Sequence, residues 1–194
     1  CDGHERFPGT GKLRYWYSFG VNQSIYQSKG YDVSAAYVLD EVVPGSVRLS
    51  LLYTNRDTHT FQTTATSTPK DFVGETGHND HTYKFTISYE IGDFLISLDN
   101  TIYSSSLDDI DFAPEDYELN NIGTMNYTDL QVRYFPTDNL QLYVGVDNLF
   151  NKQPPYCPNC WNEPSPGSHY SGAQHRPWDS IFGYAGVKLS FGRD

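Results

Sequence analysis

Residues 140–155, LQLYVGVDNLFNKQPP, form the stretch that decides the fold of this chain. The first eight residues alternate between apolar side chains and polar side chains or glycine, which is the period-2 pattern of a β-strand with two unlike faces. The polar run and the two prolines that follow predict a loop. A similar strand, IFGYAGVKLSF, closes near Phe191. We expect one face to carry Leu140, Leu142, Val144 and Val146, and the other to carry Gln141, Tyr143, Gly145 and Asp147.

The same alternation recurs along most of the sequence and predicts about seven long strands. These strands would have about 10–14 residues, which is longer than the ~5–6 residues of ordinary sheets. No Asp, Glu, Lys or Arg stands in any apolar row, so one face is expected to be free of charge. The further apolar rows are Tyr31, Val33, Ala35, Tyr37 and Leu39; Val47, Leu49, Leu51 and Tyr53; Tyr83, Phe85, Ile87, Tyr89 and Ile91; Phe94, Ile96 and Leu98; and Thr128, Leu130, Val132 and Tyr134.

The opposite rows carry the charged side chains of the predicted strands. If the sheet belongs to a barrel, these residues line a water-filled lumen, where opposed charges brace the wall or dock a plug. Alternatively, some of them line the route of a substrate. The residues concerned are Asp32, Arg48, Lys84, Glu90, Asp99, Asp129, Arg133 and Lys188.

The composition favours an all-β fold. Aromatic residues make up 15% of the 194 residues, with 16 Tyr and 11 Phe but one Met, and aromatic side chains favour strands and membrane interfaces. The mean hydropathy is −0.57. No run approaches the ~18 apolar residues of a spanning helix, which a spanning β-strand does not need. The formal net charge of −11 argues against a nucleic-acid partner, which requires clustered Lys and Arg.

Short and long connections alternate between the predicted strands. Short turns are expected at about 41–46, 91–93 and 136–139, and long loops at about 57–80, 104–121 and 151–178. This order is typical of transmembrane β-barrels, which have short periplasmic turns and long external loops. Residues 1–23 would then be the second half of an external loop, with PGTGKL as a turn within a loop hairpin.

Two motifs near the end of the chain carry a resemblance to a known family. VDNLFNKQPP and YAGVKLSF resemble the C-terminal end of TonB-dependent outer-membrane receptors, in which such a strand precedes the last loop and an aromatic residue closes the barrel. An upstream pattern, C…R…TG…N…GxD, is similar to the passage before the last hairpins of many such receptors. Its residues are Cys1, Arg6, Thr10, Gly11, Asn22, Gly30, Tyr31 and Asp32.

The resemblance implies that residues 1–194 are the C-terminal portion of an antiparallel barrel of about 22 strands, without its N-terminal plug domain. Such a receptor lies in the bacterial cell outer membrane and imports a scarce nutrient, such as a siderophore, vitamin, metal chelate or oligosaccharide. Its partners would be outer-membrane lipid, the small-molecule substrate, the rest of the receptor with its plug, and the TonB complex, which acts through the missing N-terminal part. Neither a cofactor nor an enzymatic activity is expected, because no G-x-S-x-G, HExxH, P-loop or GxGxxG pattern is present.

Two departures from the family pattern lie at the end of the chain. Gly192, Arg193 and Asp194 extend beyond Phe191, and the last loop contains CPNCW and SPGSHYSGAQHRPW in place of a simpler turn. These departures leave the substrate open.

Aromatic side chains in the expected external loops are the candidate ligand-binding residues. Rings in polar loops can stack on a sugar or a siderophore, and they can equally form an interfacial girdle or pack one loop on another. The acidic stretch DDIDFAPED could attract a cation or could be a solvated surface. The aromatic candidates are Trp16, Tyr156, Trp161, Tyr170 and Trp178.

Three cysteines leave at least one without a partner inside the chain. Cys157 and Cys160 stand in CPNC, where a disulfide would staple the last loop and suit an oxidising compartment. Cys1 could instead pair with one of them across adjacent loops. A weaker alternative is a metal site of Cys157, Cys160, His169 and His175, whose ligand types zinc accepts. Because the spacing is short and no helix presents the histidines, the main expectation is that no metal is bound.

Two other interpretations are open. The chain could be a self-contained small outer-membrane barrel that acts as an adhesin, pore or enzyme, with the hairpin near Lys12 to Tyr17 supplying a further strand. It could also be a soluble β-sandwich that binds carbohydrate through aromatic loops, although the regular alternation of short and long connections argues against this.

Overall fold

The structure is a computed structural model, and it describes residues 4–16, 24–40, 43–112, 120–157, 162–163, 168–169 and 180–191. Every regular element among these residues is a β-strand, so the all-β prediction is confirmed. No helix in the described part of the chain is long and apolar enough to cross a membrane. The strands are β1 (His4–Arg6), β2 (Leu13–Trp16), β3 (Ile25–Asp40), β4 (Ser46–Gln62), β5 (Lys70–Asp71), β6 (His81–Ile91), β7 (Phe94–Tyr103), β8 (Ser106–Leu107), β9 (Asn121–Ile122), β10 (Met125–Thr137), β11 (Leu140–Asp147), β12 (Asn162–Glu163), β13 (Ser168–His169) and β14 (Phe182–Leu189).

The long strands form an antiparallel meander in the order β3-β4-β6-β7-β10-β11-β14, and the two-residue β5 adds to the end of β4. Short turns therefore lie at one end of the sheet and long connections at the other, as the alternation of connection lengths predicts. Among the described residues the sheet is open, because β3 and β14 each pair with one long strand and not with each other.

The long connections contain small sheets of their own. β1 and β2 form a hairpin, β8 and β9 pair in antiparallel, and β12 and β13 pair in parallel. The hairpin turns through Gly9 and Gly11, whose φ angles of 83° and 66° favour glycine, so PGTGKL is a turn as predicted. β2 pairs with β1 and, within the described residues, not with the main sheet. The further wall strand considered for residues 12–17 is therefore not found there.

β4 is longer than the sequence predicts, and the loop expected at 57–80 begins only after Gln62. The strand continues because β3 runs beside it, with Ile25 opposite Gln62. The polar composition suggested a loop, but Thr58 and Thr60 are β-branched and suit a strand as well. The β3–β4 hairpin consequently projects past Asn55, the last residue of β4 that pairs with β6.

The register places the apolar rows of the strands side by side. Ile87 lies opposite both Leu49 and Leu98. Leu130 lies opposite both Leu98 and Val146. Because opposed residues share a face, the rows add up to one surface, which we call the apolar face. It consists of Tyr31, Val33, Ala35, Tyr37, Leu39, Val47, Leu49, Leu51, Tyr53, Tyr83, Phe85, Ile87, Tyr89, Ile91, Phe94, Ile96, Leu98, Ile102, Leu130, Val132, Tyr134, Leu140, Leu142, Val144, Val146, Ala185, Val187 and Leu189.

The apolar face is bordered by Tyr53 and Tyr83 at the long-connection end and by Phe94 and Tyr134 at the short-turn end. Between these borders its rows contain no Asp, Glu, Lys or Arg, in agreement with the prediction. Uncharged polar side chains enter the rows at one place, and they bond to one another. Asn100 Nδ2 donates to Asn126 Oδ1 at 2.6 Å and to Thr128 Oγ1 at 2.8 Å. These bonds pair the Asn100 amide nitrogen with acceptors on the neighbouring strand.

The apolar face is exposed in the described structure. Tyr37, Val144 and Val187 are 64%, 55% and 63% exposed. Hydrophobic residues that are fully buried are few in the described part of the chain, and they lie at the long-connection end: Ile122, Met125, Tyr127 and Cys157. A continuous exposed apolar surface of this kind marks a site of contact with protein or membrane.

Aromatic rings border the apolar face at both ends. At the long-connection end, Tyr53 stacks on Tyr83 with ring centroids 4.9 Å apart and meets Tyr31 edge-on at 6.0 Å. At the short-turn end, Phe94 stacks on Tyr134 at 4.7 Å. Aromatic belts of this kind are typical of the two membrane–water interfaces.

On the opposite face, two tyrosines of neighbouring strands lie across glycines. Gly145 pairs with Tyr184, and Gly186 pairs with Tyr143. A Cβ added to either glycine would lie 2.3 Å from Cζ of the paired tyrosine. Each ring therefore covers the backbone of its cross-strand partner, and glycine is required at both positions.

Replacing Gly186 by Ala is expected to displace the Tyr143 ring and to lower the free energy of unfolding by about 1–2 kcal/mol, because the added methyl group overpacks the site. Gly183→Ala on the same strand is the matched control, since a Cβ at Gly183 meets no atom within 4 Å. Urea unfolding of the intact protein measures both variants. Equal unfolding midpoints would contradict the proposed packing.

Candidate functional site

The polar face of the sheet forms a hollow of about 400 Å³, to which β6, β7, β10, β11 and β14 all contribute. We call it the polar hollow. Three of its side chains are carboxylates and one is a guanidinium, so its surface is acidic. It is lined by Thr86, Ser88, Leu95, Ser97, Asp99, Asp129, Leu130, Gln131, Arg133, Asp147 and Tyr184.

Three of the eight charged residues that the sequence placed on this face, Asp99, Asp129 and Arg133, meet in the polar hollow. Asp99 Oδ1 accepts a hydrogen bond from the Thr86 hydroxyl at 2.5 Å and lies 3.8 Å from Lys84 Nζ. The hollow thus carries charges of both signs, and Asp99 is held in place by a hydrogen bond and an ion pair.

Arg133 is held in place by an amide and a tyrosine. Arg133 Nε donates to the side-chain oxygen of Gln131, and Gln131 Nε2 donates to the Tyr184 hydroxyl at 3.0 Å. Tyr184 is also the ring that covers Gly145. The glycine on β11 therefore helps to position the guanidinium on β10.

The end of β11 is fixed by an asparagine turn. Asn148 is buried with a φ of 51°, a conformation that asparagine tolerates better than most residues. Its backbone N–H donates to Asp129 Oδ1 at 2.9 Å, and its side chain bonds to both the N–H and the carbonyl of Lys152. The sequence DNLFNK is thus a strand terminus that locks the start of the last loop to β10.

Two of the long connections meet at Lys70. Its Nζ lies 2.7 Å from Asp111 Oδ2, 3.1 Å from Asp109 Oδ1 and 3.2 Å from Glu75 Oε1. Lys70 and Glu75 belong to the β4–β6 connection, whereas both aspartates belong to the β7–β10 connection. We call these four residues the lysine cage, and it joins the two connections by charge.

The contacts of the lysine cage shift the ionisation of its members. Hydrogen bonds that Lys70 donates, to Asp111 first and then to Asp109 and Glu75, outweigh burial and raise the pKa of Lys70 well above its ordinary value. The N–H of Asp111, and then Lys70, lower the pKa of Asp109. A lysine whose pKa is raised stabilises the fold below its ordinary pKa of 10.5. An aspartate whose pKa is lowered stabilises the fold above its ordinary pKa of 3.8. The ion pair of Lys70 with Asp109 is at full strength between these two values.

Backbone hydrogen bonds join the same two connections. Thr76 N donates to Leu107 O at 2.8 Å, and Leu107 N donates to Gly74 O at 2.7 Å. Asn79 Nδ2 donates to Ser104 O at 2.6 Å. The two long connections therefore form one ordered unit above the tyrosines that border the apolar face.

The five predicted ligand-binding aromatics are mostly beyond what the structure describes. Tyr156 is described, and its side chain is 55% exposed. Trp16 ends β2, but its side chain lies outside the described part of the chain. Trp161, Tyr170 and Trp178 lie outside the described residues. A ligand-binding role for these residues stays a prediction.

Cys157 is buried and takes part in a disulfide bond. Neither Cys160 nor Cys1 is among the described residues, so the predicted pairing of Cys157 with Cys160 stays a prediction. Cys157 Sγ lies 3.2 Å from Asp108 Oδ1. This is a close contact rather than a hydrogen bond, because a disulfide sulfur carries no hydrogen.

The alternative metal site would require Cys157 as a thiolate. The side chain of His169, like Cys160 and His175, lies outside the described part of the chain, so this alternative also stays a prediction. Among the residues that the structure does describe, no group of three or more His, Cys, Asp or Glu could hold a metal ion.

The lysine cage is the feature that sequence reasoning missed. The acidic stretch that contains Asp109 and Asp111 was expected either to attract a cation or to be solvated. The cation that it contacts is Lys70 of the same chain, 39 positions away. No spacing rule links these residues, because their contact depends on how two long connections fold over each other.

Comparison with protein-family models, with curated proteins and with solved structures finds no match to this chain.

Replacing Lys70 by Met is expected to release the two connections from each other. The mostly buried Glu75 carboxylate would lose its cation, at a cost of about 1–3 kcal/mol. Limited proteolysis of the intact protein should then cut residues 63–80 and 104–112 faster than in the wild type. Lys84→Met is the control, because Lys84 forms a half-exposed pair with Asp99 that is worth only ~0–1 kcal/mol. Equal cleavage rates in both variants would contradict a structural role for the lysine cage.

Proposed function

We propose that this sheet is part of the wall of a bacterial outer-membrane β-barrel, with the apolar face toward lipid and the polar hollow toward the lumen. The observation that carries the proposal is the apolar face, which continues across all the long strands without a charged residue. A charged side chain at the bilayer midplane costs about 2–4 kcal/mol, so a lipid-facing wall explains why charge is missing from one face and frequent on the other.

The dimensions of the apolar face support this orientation. Eight residue steps separate Tyr83 from Ile91 on β6, which corresponds to about 27 Å along a strand. A strand tilted by ~40° would then cross about 20 Å of hydrocarbon, and with the bordering rings this approaches the ~25 Å apolar band of outer-membrane barrels. The aromatic belts would lie at the two interfaces.

Within this class we propose a TonB-dependent receptor, in which the chain supplies a C-terminal part of the barrel for the import of a siderophore, vitamin, metal chelate or oligosaccharide. The support is the resemblance of VDNLFNKQPP and YAGVKLSF to that family. Substrate would be captured by the long external connections, and a plug supplied by the rest of the receptor would face the polar hollow. The role is transport without catalysis.

A self-contained small barrel is the second candidate, and the open sheet argues against it. In lipid, the unpaired backbone groups of edge strands cost several kcal/mol each. Within the described residues the edges are β3 and β14, and they do not pair with each other. Strands from elsewhere would have to cover both edges, which favours a larger barrel. A soluble sandwich is disfavoured because it would bury the apolar face under a second sheet.

Lysine substitutions on the two faces test the orientation. Lys at Leu49, Ile87 or Val132, on the apolar face, is expected to impair membrane assembly by about 2–4 kcal/mol per site. Lys at Ser50 or Ser88, on the polar face, is expected to be tolerated. The readout is the fraction of intact protein that assembles in the outer membrane.

Because Ser50 is next to Leu49 and Ser88 is next to Ile87, each pair compares neighbouring positions of one strand. Equal tolerance on the two faces would overturn the proposed orientation.

A further inference from the structure

Two histidines stack where the β4–β6 connection folds back on β4. His59 lies on the projecting part of β4, opposite Ser28 of β3. Its ring centroid is 4.3 Å from that of His78, with the planes tilted by 31°. Phe72, in the same connection as His78, donates its N–H to the His59 carbonyl at 3.0 Å and packs against the His78 ring.

The surroundings of His59 suit a neutral ring. His59 is 7% exposed, its Nε2 contacts the Tyr26 hydroxyl, and its Nδ1 is buried without a hydrogen-bond partner in the described structure. A neutral imidazole needs a donor role at only one nitrogen, whereas an imidazolium must donate from both. Protonation of His59 would therefore bury a charged donor that has no acceptor.

The charged groups near the pair do not compensate for protonation. Arg56 on β4 adds a further positive charge, which disfavours protonation of both His59 and His78. Asp71 of β5 favours protonation of His59, but Asp71 Oδ1 already accepts hydrogen bonds from the backbone N–H groups of His59 and Val73.

Glu75 is the acidic group that favours protonation of His78. Its carboxylate is already engaged, because Oε1 lies 3.2 Å from Lys70 Nζ and accepts the N–H of Ile110 at 3.1 Å. The Tyr26 hydroxyl of β3 contacts Nε2 of His59.

We propose that His59 and His78 form an acid-sensitive latch, which holds the β4–β6 connection onto the projecting hairpin when both rings are neutral and releases it when they become charged. Two imidazolium ions stacked at this distance would repel each other beside Arg56. The latch lies beyond Tyr53, the last residue of the apolar face on β4. Its opening would therefore change the surface at the long-connection end without altering the main sheet. The inference holds whether or not the chain belongs to a receptor.

The direction of the pH dependence follows from burial. Burial first, and then nearby positive charge, lowers the pKa of both His59 and His78 below 6.5. Protons then bind more readily to the released connection than to the latched one. The latch is at full strength above about pH 6.5 and weakens as the pH falls below that value.

The β7–β10 ladder supplies an internal reference. Among the described residues, β7 pairs with β6 and β10, and β10 pairs with β7 and β11, so neither strand pairs with the projecting part of β4 or with residues 72–78. An acid effect caused by the histidines should therefore spare β7 and β10.

The test is hydrogen exchange with mass spectrometry on the intact protein at pH 7.5 and pH 5.0, expressed as protection factors corrected for intrinsic rates. We expect protection in residues 72–78 to fall severalfold at pH 5.0, because the released connection binds protons more readily than the latched one. Protection in β7 and β10 should change less than about twofold. An equal loss in both regions, or no loss in either, would overturn the latch.

His78→Phe is the decisive variant, since it keeps a ring stacked on His59 and removes one titrating group. It is expected to show wild-type protection at pH 7.5 and to lose less protection than the wild type at pH 5.0, because one of the two titrating rings remains. His81→Asn is the matched control, because His81 does not stack on another histidine among the described residues, and it should keep the wild-type response. If His78→Phe is unprotected at pH 7.5, His59→Phe replaces it with the same expectations. A Phe variant that is protected at pH 7.5 and keeps the full acid response of the wild type would overturn the proposal.

Discussion

A sheet that is apolar and free of charge on one face must place that face against something other than water. In this protein nothing in the described chain covers it, and the fully buried hydrophobic residues lie instead at the long-connection end. The proposed lipid environment would meet the constraint, and it would also explain the aromatic borders and the long strands. It further requires that the backbone groups of β3 and β14 be paired with strands from elsewhere.

The polar face and the external end follow from the same constraint. Because charge is excluded from one face, it gathers on the other, where Asp99, Asp129 and Arg133 share the polar hollow. Gly145 and Gly186 allow tyrosine rings to lie flat against this wall. At the long-connection end, two long connections are held together by charge and by backbone hydrogen bonds.

Much of the wall could be predicted from the sequence, because period-2 alternation acts locally and each residue faces one side or the other. The apolar rows and their lack of charge followed from it, and the turn in PGTGKL followed from its proline and glycines. The end of β4 did not, since threonines suit both loops and strands and the outcome depends on β3 and β5 beside them. The contact of Lys70 with Asp109 spans 39 positions and depends on the folding of two long connections, which leaves no local trace. The predicted aromatic ligand residues stay predictions, since most lie outside the described residues.

The central claim is that these residues form a stretch of the wall of a larger outer-membrane barrel. The most direct test is the intact mass of the native polypeptide that contains them, measured after detergent extraction of the source membrane. The account predicts that the protein requires detergent and that its mass is several times the 22.0 kDa of this chain. A mass near 22.0 kDa, or recovery in the aqueous fraction without detergent, would contradict it.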